Sequence, residues 1–374
     1  MSRRLFALAW KELLQLRRDR LTLAMMAALP LLQLLLFGYA INTDVRNVPT
    51  VVFDQDGSAR SRELVARLRS TGVYAPVGEV ASYADIARAF QNGRARVALV
   101  LPSRYQADLL RGGATVQLVV DGSDPQTVAS ASEAAGQVAA LASGELELAR
   151  LAHVGGVPIP TPLKVEPTTW YNPDLRTSTF IVPGLVGVIL TMTMVMLTSM
   201  AMARERERGT LEQLIVSPVR RADLVVGKIL PYVVIGYAQM TLILLAGKLV
   251  FGVPIVGSIA TLYALAFVFI AANLALGLFF STLARTQQQA MQMSFFFLLP
   301  NILLSGFAFP WDGMPAPARW LSQLLPLTHF LRVVRGIVLK GSHIGDVTPE
   351  LLWLGAILLA LLVLAAARSR KKLD

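Results

Sequence analysis

Apolar residues in this 374-residue chain collect in long uncharged runs rather than in short amphipathic segments. A helix needs about 20 mostly apolar residues to cross a bilayer. Six runs suit that role: 21–41, 179–202, 229–247, 258–284, 290–309 and the shorter 351–367. The first follows a basic, partly amphipathic stretch containing Arg3, Arg4, Lys11, Arg17, Arg18 and Arg20. Its length exceeds the apolar core of a secretory signal. Residues 1–20 therefore predict an interfacial helix, and 21–41 a retained anchor. Only Phe251-Gly252-Val253-Pro254 turns the third run into the fourth, so these two predict a helical hairpin.

Residues 43–178 break this pattern. Short apolar segments at 48–53, 73–77, 95–101 and 115–120 predict strands, and 59–69, 83–91, 103–111 and 126–152 predict helices. Such alternation implies an α/β layer structure with a mainly parallel sheet. Roughly 130 residues suffice to bury a core without disulfides. Pro158, Pro160, Pro162 and Pro167 make 157–167 an extended return strand or linker. Trp170 and Tyr171 then suit a membrane–water interface. Asp54/Asp56 and Asp121/Asp124 follow strands; they fit capped turns, with a cation or substrate site as the alternative. Small residues along 126–152 (Ala129, Ala131, Ala134, Ala135, Gly136, Ala139 and Ala140) fit core packing or contact with another protein.

Composition agrees with a membrane protein: 54% of residues are hydrophobic and 16% charged. A soluble domain sits nearer 25% charged. The absence of Cys excludes disulfides, thiol nucleophiles and iron–sulfur clusters, and His153, His329 and His343 are far apart in sequence. The net charge of +11 raises nucleic acid as a partner, but its distribution argues against it. With both termini inside, the inner segments 1–20, 203–228, 285 and 368–374 carry 17 Lys/Arg and 7 Asp/Glu. The remainder carries 18 and 17. Excess positive charge on one face is the signature of cytoplasmic loops.

The loop at 203–228 is the most informative segment. Charged residues 204–208 continue the second run out of the membrane, and Gly209 can end that helix. Thr210 and Gln213 form a capping box for a new helix with Leu211, Leu214 and Ile215 on one face and Glu212 beside them. Ser217-Pro218 stops it. Partner docking explains the stop, the cap and the stripe together; anchoring explains only the arginines. Residues 206–218 (Arg-Glu-Arg-Gly-Thr-Leu-Glu-Gln-Leu-Ile-Val-Ser-Pro) with Gly227-Lys228 resemble the signature loop of ABC type-2 transporter permeases. The chain is similar to their long branch, which has a large extracytoplasmic domain between spans one and two and is associated with drug and other efflux. Pro326-Leu327-Thr328-His329-Phe330, Arg335-Gly336 and Gly341 resemble a second family signature.

The resemblance implies two permeases, as a second copy or a sister chain, on an ABC ATPase dimer. Glu205, Arg208, Gly209, Thr210, Leu211, Glu212, Gln213, Leu214 and Pro218 would then form the ATPase-coupling region. ATP and Mg belong on that partner and no cofactor on this chain, since Gly227-Lys228 and Gly247-Lys248 lack the Ser/Thr and glycines of a phosphate loop.

No acidic or basic residue lies deep in a run, which favours an external energy source over ion coupling. Gln33, Gln239, Asn273, Gln292 and Asn301 are polar candidates for the pathway. Met196, with Met192, Met194, Met200, Met202 and Phe295–Phe297, offers an adaptable apolar lining; packing against lipid is the alternative. Prolines break 310–349 into pieces, with Leu324, Leu325 and Phe330 apolar enough to re-enter the bilayer. The family implies that this region closes the path from outside, with Leu324, Leu325, Pro326 and Phe330 at the gate.

The resulting expectation is a polytopic α-helical membrane protein with six transmembrane helices and an inserted extracytoplasmic α/β domain. It would be the permease of an ATP-driven exporter, not an enzyme, in a bacterial cytoplasmic (inner) membrane. Its partners would include lipids and, in a double-membraned cell, a periplasmic adaptor. A receptor with an extracytoplasmic ligand-binding domain and a passive channel are the alternatives.

Overall fold

A computed structural model describes residues 45–154, 163–207 and 221–370. In the first part of the chain, β1 (Val48–Asp54), α1 (Ala59–Ser70), β2 (Tyr74–Glu79), α2 (Tyr83–Gln91), β3 (Val97–Leu101), α3 (Tyr105–Arg111), β4 (Ala114–Asp121), α4 (Pro125–Val154) and β5 (Leu163–Trp170) follow in order. The sheet runs β2-β1-β3-β4-β5. Alternation along β3 explains its central place. Val97, Leu99 and Leu101 join a core with α1, α3 and α4, while Ala98 and Val100 join Ile86, Ala89 and Phe90 of α2 on the other face.

The expected parallel sheet holds for β1–β2, β1–β3 and β4–β5, but β4 runs antiparallel to β3. The seven residues of α3 cover about 10 Å, too little to carry the chain back along β3, which spans about 17 Å. Gly112, left-handed at φ 101, ends α3, and the chain turns straight into β4. Both edge strands hold a proline, Pro76 in β2 and Pro167 in β5, and β5 adds the exposed pair Lys164–Glu166.

Beyond β5 the chain is helical: α5 (Thr177–Glu207), α6 (Arg221–Phe251), α7 (Ile259–Leu283), α8 (Gln287–Leu304), α9 (Ala316–Ser322), α10 (Pro326–Lys340) and α11 (Thr348–Arg370). Among the described residues four helices are long and apolar enough to cross a membrane: Thr177–Glu207, Leu230–Phe251, Ile259–Leu283 and Thr348–Arg368. Helix α8 covers most of the run at 290–309 but ends at Leu304. A turn and a short 3-10 helix at Trp311–Gly313 follow.

Helix α7 is the bundle's centre, packing on α5, α6, α10 and α11. Gly277 makes the α5 crossing close: a Cβ there would lie 2.7 Å from the Val195 carbonyl oxygen. Helix α10 starts on Pro326, whose missing N–H costs nothing at a helix start, and stops at Gly341 with φ 68. It is buried along most of its length, and Phe330 stacks on Phe269 of α7 at 4.0 Å between ring centroids.

Candidate functional site

At 1.5 Å per residue, α5 is about 46 Å long, whereas a bilayer's hydrocarbon core is about 30 Å thick. Its last turn, Arg204–Glu207, lies past the apolar section and grips the turn between α7 and α8. Arg206 Nη1 donates to the carbonyls of Ser281 (2.7 Å) and Ala284 (3.0 Å). Arg204 Nε donates to Gln287 Oε1 at 2.9 Å. Glu207 accepts from Gln287 N (3.0 Å) and Gln287 Nε2 (2.6 Å). A cation thus meets the electron-rich end of α7 and an anion the electron-poor start of α8, the favourable sense for both dipoles. Glu205 lies half-buried on the same turn. Of the other expected coupling residues, Arg208, Gly209, Thr210, Leu211, Glu212, Gln213, Leu214 and Pro218 lie outside the described residues, as do Gln33 and the segments 1–20 and 21–41.

Further along α5, its methionines meet α8. Met192, Met196, Met291, Gln292, Phe295 and Phe296 line a cavity of about 250 Å³. Its wall is almost wholly carbon and sulfur, with Gln292 and Ser294 as polar exceptions. Flexible thioethers beside phenyl rings can adapt to apolar guests of different shape. Ser199 and Ser294 share a buried hydrogen bond (2.9 Å) that pins α5 to α8 beside it.

The polar pathway candidates divide. Gln292 and Met196 face the cavity. Gln239 is within 3.4 Å of Thr193 Oγ1. Asn273 and Asn301 are fully buried inside the bundle instead. Asn273 donates back to Phe269 O at 2.9 Å, and both side-chain polar atoms of Asn301 lack hydrogen-bond partners among the described residues.

At the opposite end, Leu324 is exposed, Leu325 half-buried, and Pro326 and Phe330 buried at the start of α10. His329, also fully buried, presents Nδ1 to Glu350 Oε2 (2.5 Å) and Nε2 to the Gln323 carbonyl (2.9 Å), and its ring stacks on Trp353. Arg332 donates to the other oxygen of Glu350 at 2.9 Å. The second family motif is therefore tied to the first turn of α11.

The other end of α10 reaches the sheet unit. Lys340 Nζ donates to the Asp121 carboxylate and to Phe90 O, Ser342 Oγ to Gln91 O (2.8 Å), and Gln91 Nε2 to Lys340 O (3.3 Å). Arg96 bridges Asp124 (3.4 Å) and Asp312 (3.1 Å). Burial opposes the charge on Arg96, but Asp312, Asp124 and Asp121 outweigh it and raise its pKa. Burial likewise opposes ionisation of Asp121, yet Lys340 first and Arg96 second hold its carboxyl below the usual range.

The two acidic turns thus have different roles. Asp54 caps its own turn, accepting from Asp56 N, Gly57 N and Ser61 Oγ. Asp121 and Asp124 also accept local bonds, from Ser123 N and Gln126 N, but Asp121 takes Lys340 of the helical part and Asp124 holds Arg96, which reaches Asp312. Sequence reasoning missed these partners, the grip on the α7–α8 turn and the His329–Glu350 pair. The charge alternation at 204–208 and the acid at the start of the last apolar run were the available signals.

A bundle of apolar helices, an uncharged cavity between two of them and a polar grip at one end define the membrane part of a transporter. The chain belongs to the ABC-2 family transporter proteins, whose model matches residues 20–367. It is an ABC type-2 permease. It is 31% identical over 354 residues to the "Probable multidrug ABC transporter permease YbhR" of Escherichia coli K12, covering 94% of each chain. It is also 30% identical to the "Probable multidrug ABC transporter permease YbhS" of the same strain, over 100% of this chain and 98% of that one. The "Inner membrane transport permease YhhJ" of that strain is 28% identical over 99% of this chain and 97% of its own.

Proposed function

We propose that this permease exports an apolar substrate across a bacterial inner membrane, powered by a separate ABC ATPase dimer. Both termini and 203–228 face the cytoplasm in this reading, and 43–178 and 310–349 face outward. Six helices cross: 21–41, 179–202, 229–247, 258–284, 290–309 and 351–367. A second permease copy or a sister permease completes the path, and a periplasmic adaptor contacts the sheet unit.

The supporting observation is the unbroken α5 with its grip on α7 and α8. The ATPase seats on the amphipathic stretch around Glu212. Its movement reaches α5 at Glu207 and, through the bonds of Arg204 and Glu207 to Gln287, also moves α8. These are the two helices that wall the methionine cavity. A power stroke at the loop thereby changes the shape of the substrate's surroundings, and the gate at Leu324, Leu325, Pro326 and Phe330 opens outward. The uncharged lining selects apolar compounds, consistent with the multidrug names of two relatives. The basic inner segments support the orientation.

The test uses the native complex. An ATP-binding subunit should co-purify with wild type and be lost with Glu212→Arg. Inverted vesicles containing the complex should accumulate an apolar dye only with ATP. Accumulation in right-side-out vesicles instead would reverse the direction, and absence of an ATPase from wild type would remove the energy source.

A further inference from the structure

His329 is fully buried and offers both ring nitrogens to oxygen atoms. Nε2 faces the backbone carbonyl of Gln323, just past α9, at 2.9 Å. A carbonyl only accepts, so Nε2 carries a hydrogen, and a neutral ring then has a bare lone pair on Nδ1. Nδ1 lies 2.5 Å from Oε2 of Glu350, whose other oxygen accepts from Arg332 Nη1 at 2.9 Å. Two lone pairs so close repel, whereas one hydrogen between them makes a short charge-assisted bond. The contact therefore needs one proton more than a neutral ring and a carboxylate supply.

The surroundings suit that proton. The ring stacks on Trp353 with 5.7 Å between centroids and 11° between planes, and an indole face favours a cation. Glu350 brings the negative charge that holds the proton, and Arg332 the positive charge that limits its hold; Arg332 also lies over Trp311, 4.7 Å from the ring centroid. Nearby charges are turned elsewhere. Arg319 lies over Trp311, Arg335 over Phe180, and Asp346 accepts from His343 N. Of the other helices packed on α10, α8 has no ionisable residue, and α7 has only Tyr263, which meets Tyr237 and Thr241. The charges of α5 sit at 204–207 by the α7–α8 turn, and α2 meets the far end of α10 at Lys340. Glu350 and Arg332 also line a cavity of about 270 Å³ between the sheet unit and the helical part. A water occupies about 30 Å³, so this cavity gives the proton a way in and out.

We propose that His329 and Glu350 form a proton-binding site, and that the bound proton latches the end of α9, the start of α10 and the first turn of α11 together. The proton belongs to the pair rather than to either residue. While it is bound, Nδ1 and Oε2 attract and the three segments stay joined. On release it passes to water in the cavity, leaving a neutral ring against a carboxylate, and their repulsion loosens α10 from α11. The latch is thus engaged in acid and lost as pH rises. Its action on the gate at Leu324, Leu325, Pro326 and Phe330 rests on the export reading above; the proton site does not.

The chain has no Cys, so single cysteines can report the latch. Thr328→Cys places a thiol at a position 1% exposed, where the native hydroxyl has no hydrogen-bond partner among the described residues; Leu324→Cys, at a position 64% exposed, is the reference. Thiol labelling of each full-length single-cysteine permease is followed in detergent from about pH 5.5 to about pH 8.5, across the range where histidine changes charge. The ratio of the two rates, Cys at 328 over Cys at 324, should rise severalfold with pH. In a Glu350→Gln background the amide supplies the hydrogen to Nδ1 while its oxygen still accepts from Arg332, so the ratio should stay low and flat. His329→Gln, which cannot titrate, is the second background should Glu350→Gln fail to fold; its ratio should not depend on pH. The readout needs neither ATPase nor transport, so it is separate from any failure of the export reading. A flat ratio in the otherwise wild-type permease, or an equal rise in Glu350→Gln or His329→Gln, would overturn the proposal.

Discussion

Lys340, the last residue of α10, donates to the carboxylate of Asp121, the last residue of β4, across 219 positions of sequence. The side chains are 11% and 2% exposed, so each ion depends on the other. Removing one partner of a buried pair costs about 3–5 kcal/mol, while removing both costs far less. Lys340→Met alone should therefore lower the unfolding midpoint sharply, and Lys340→Met with Asp121→Asn should recover most of the loss. A double variant no better than the single one would show that Lys340 works through its contact with Phe90 instead.

The same pair has a pH signature. The folded-state pKa of Asp121 is depressed, so its stabilisation is fully present above the ordinary carboxylate value of about 3.9. It is lost as pH falls through the lower folded value. This contribution should be flat between pH 5 and 8 and disappear only in stronger acid, and Asp121→Asn should remove that acid-side slope. Unfolding midpoints across pH for both proteins check it.

Gly277 lets α7 lie against the backbone of α5. Gly277→Ala would press a methyl on the Val195 carbonyl, and small-to-large changes in packed cores cost about 1–3 kcal/mol. A lower thermal midpoint with normal membrane insertion is expected. An unchanged midpoint would mean that the crossing relaxes freely.

Arg206 and Glu207 join the proposed drive to the proposed path. Arg206→Ala removes two charge-assisted hydrogen bonds, and Glu207→Gln leaves a weaker neutral acceptor. With the ATPase still bound, hydrolysis should continue while transport falls severalfold. Loss of both activities in step would point to failed assembly rather than to lost transmission.

Met196 tests the cavity wall. Met196→Leu keeps its volume and apolar character and should leave transport near wild type, whereas Met196→Glu introduces a charge and should abolish transport of apolar dyes. Dye flux in vesicles decides. Equal flux in both variants would mean that the substrate travels elsewhere.

Period-two and long apolar patterns made the elements legible, because they follow from which face each residue buries. Helix α2 occupies the residues expected of it, Tyr83–Gln91. Strand direction was less legible: the reversal at β4 depends on α3 being too short for a full return, a matter of length rather than periodicity. The methionines of α5 and phenylalanines of α8 were visible as residue types, but their meeting across a cavity depends on helix rotation. The Lys340–Asp121 ion pair and the His329–Glu350 hydrogen bond join segments distant in sequence, so no local pattern says which residues will meet. Asn273 and Asn301, polar residues in apolar runs, are enclosed within the bundle, the side on which intramembrane polar groups are expected.

The prolines at both margins of the sheet have a consequence for the unit's social behaviour. A bare edge strand invites neighbours to add themselves on, the first step of aggregation and of strand exchange between copies. Pro76 and Pro167 each lack an N–H, and Lys164 and Glu166 would carry charge into any such joint. The unit is thereby insulated from its own kind, and can be displayed at high density without fusing into fibres.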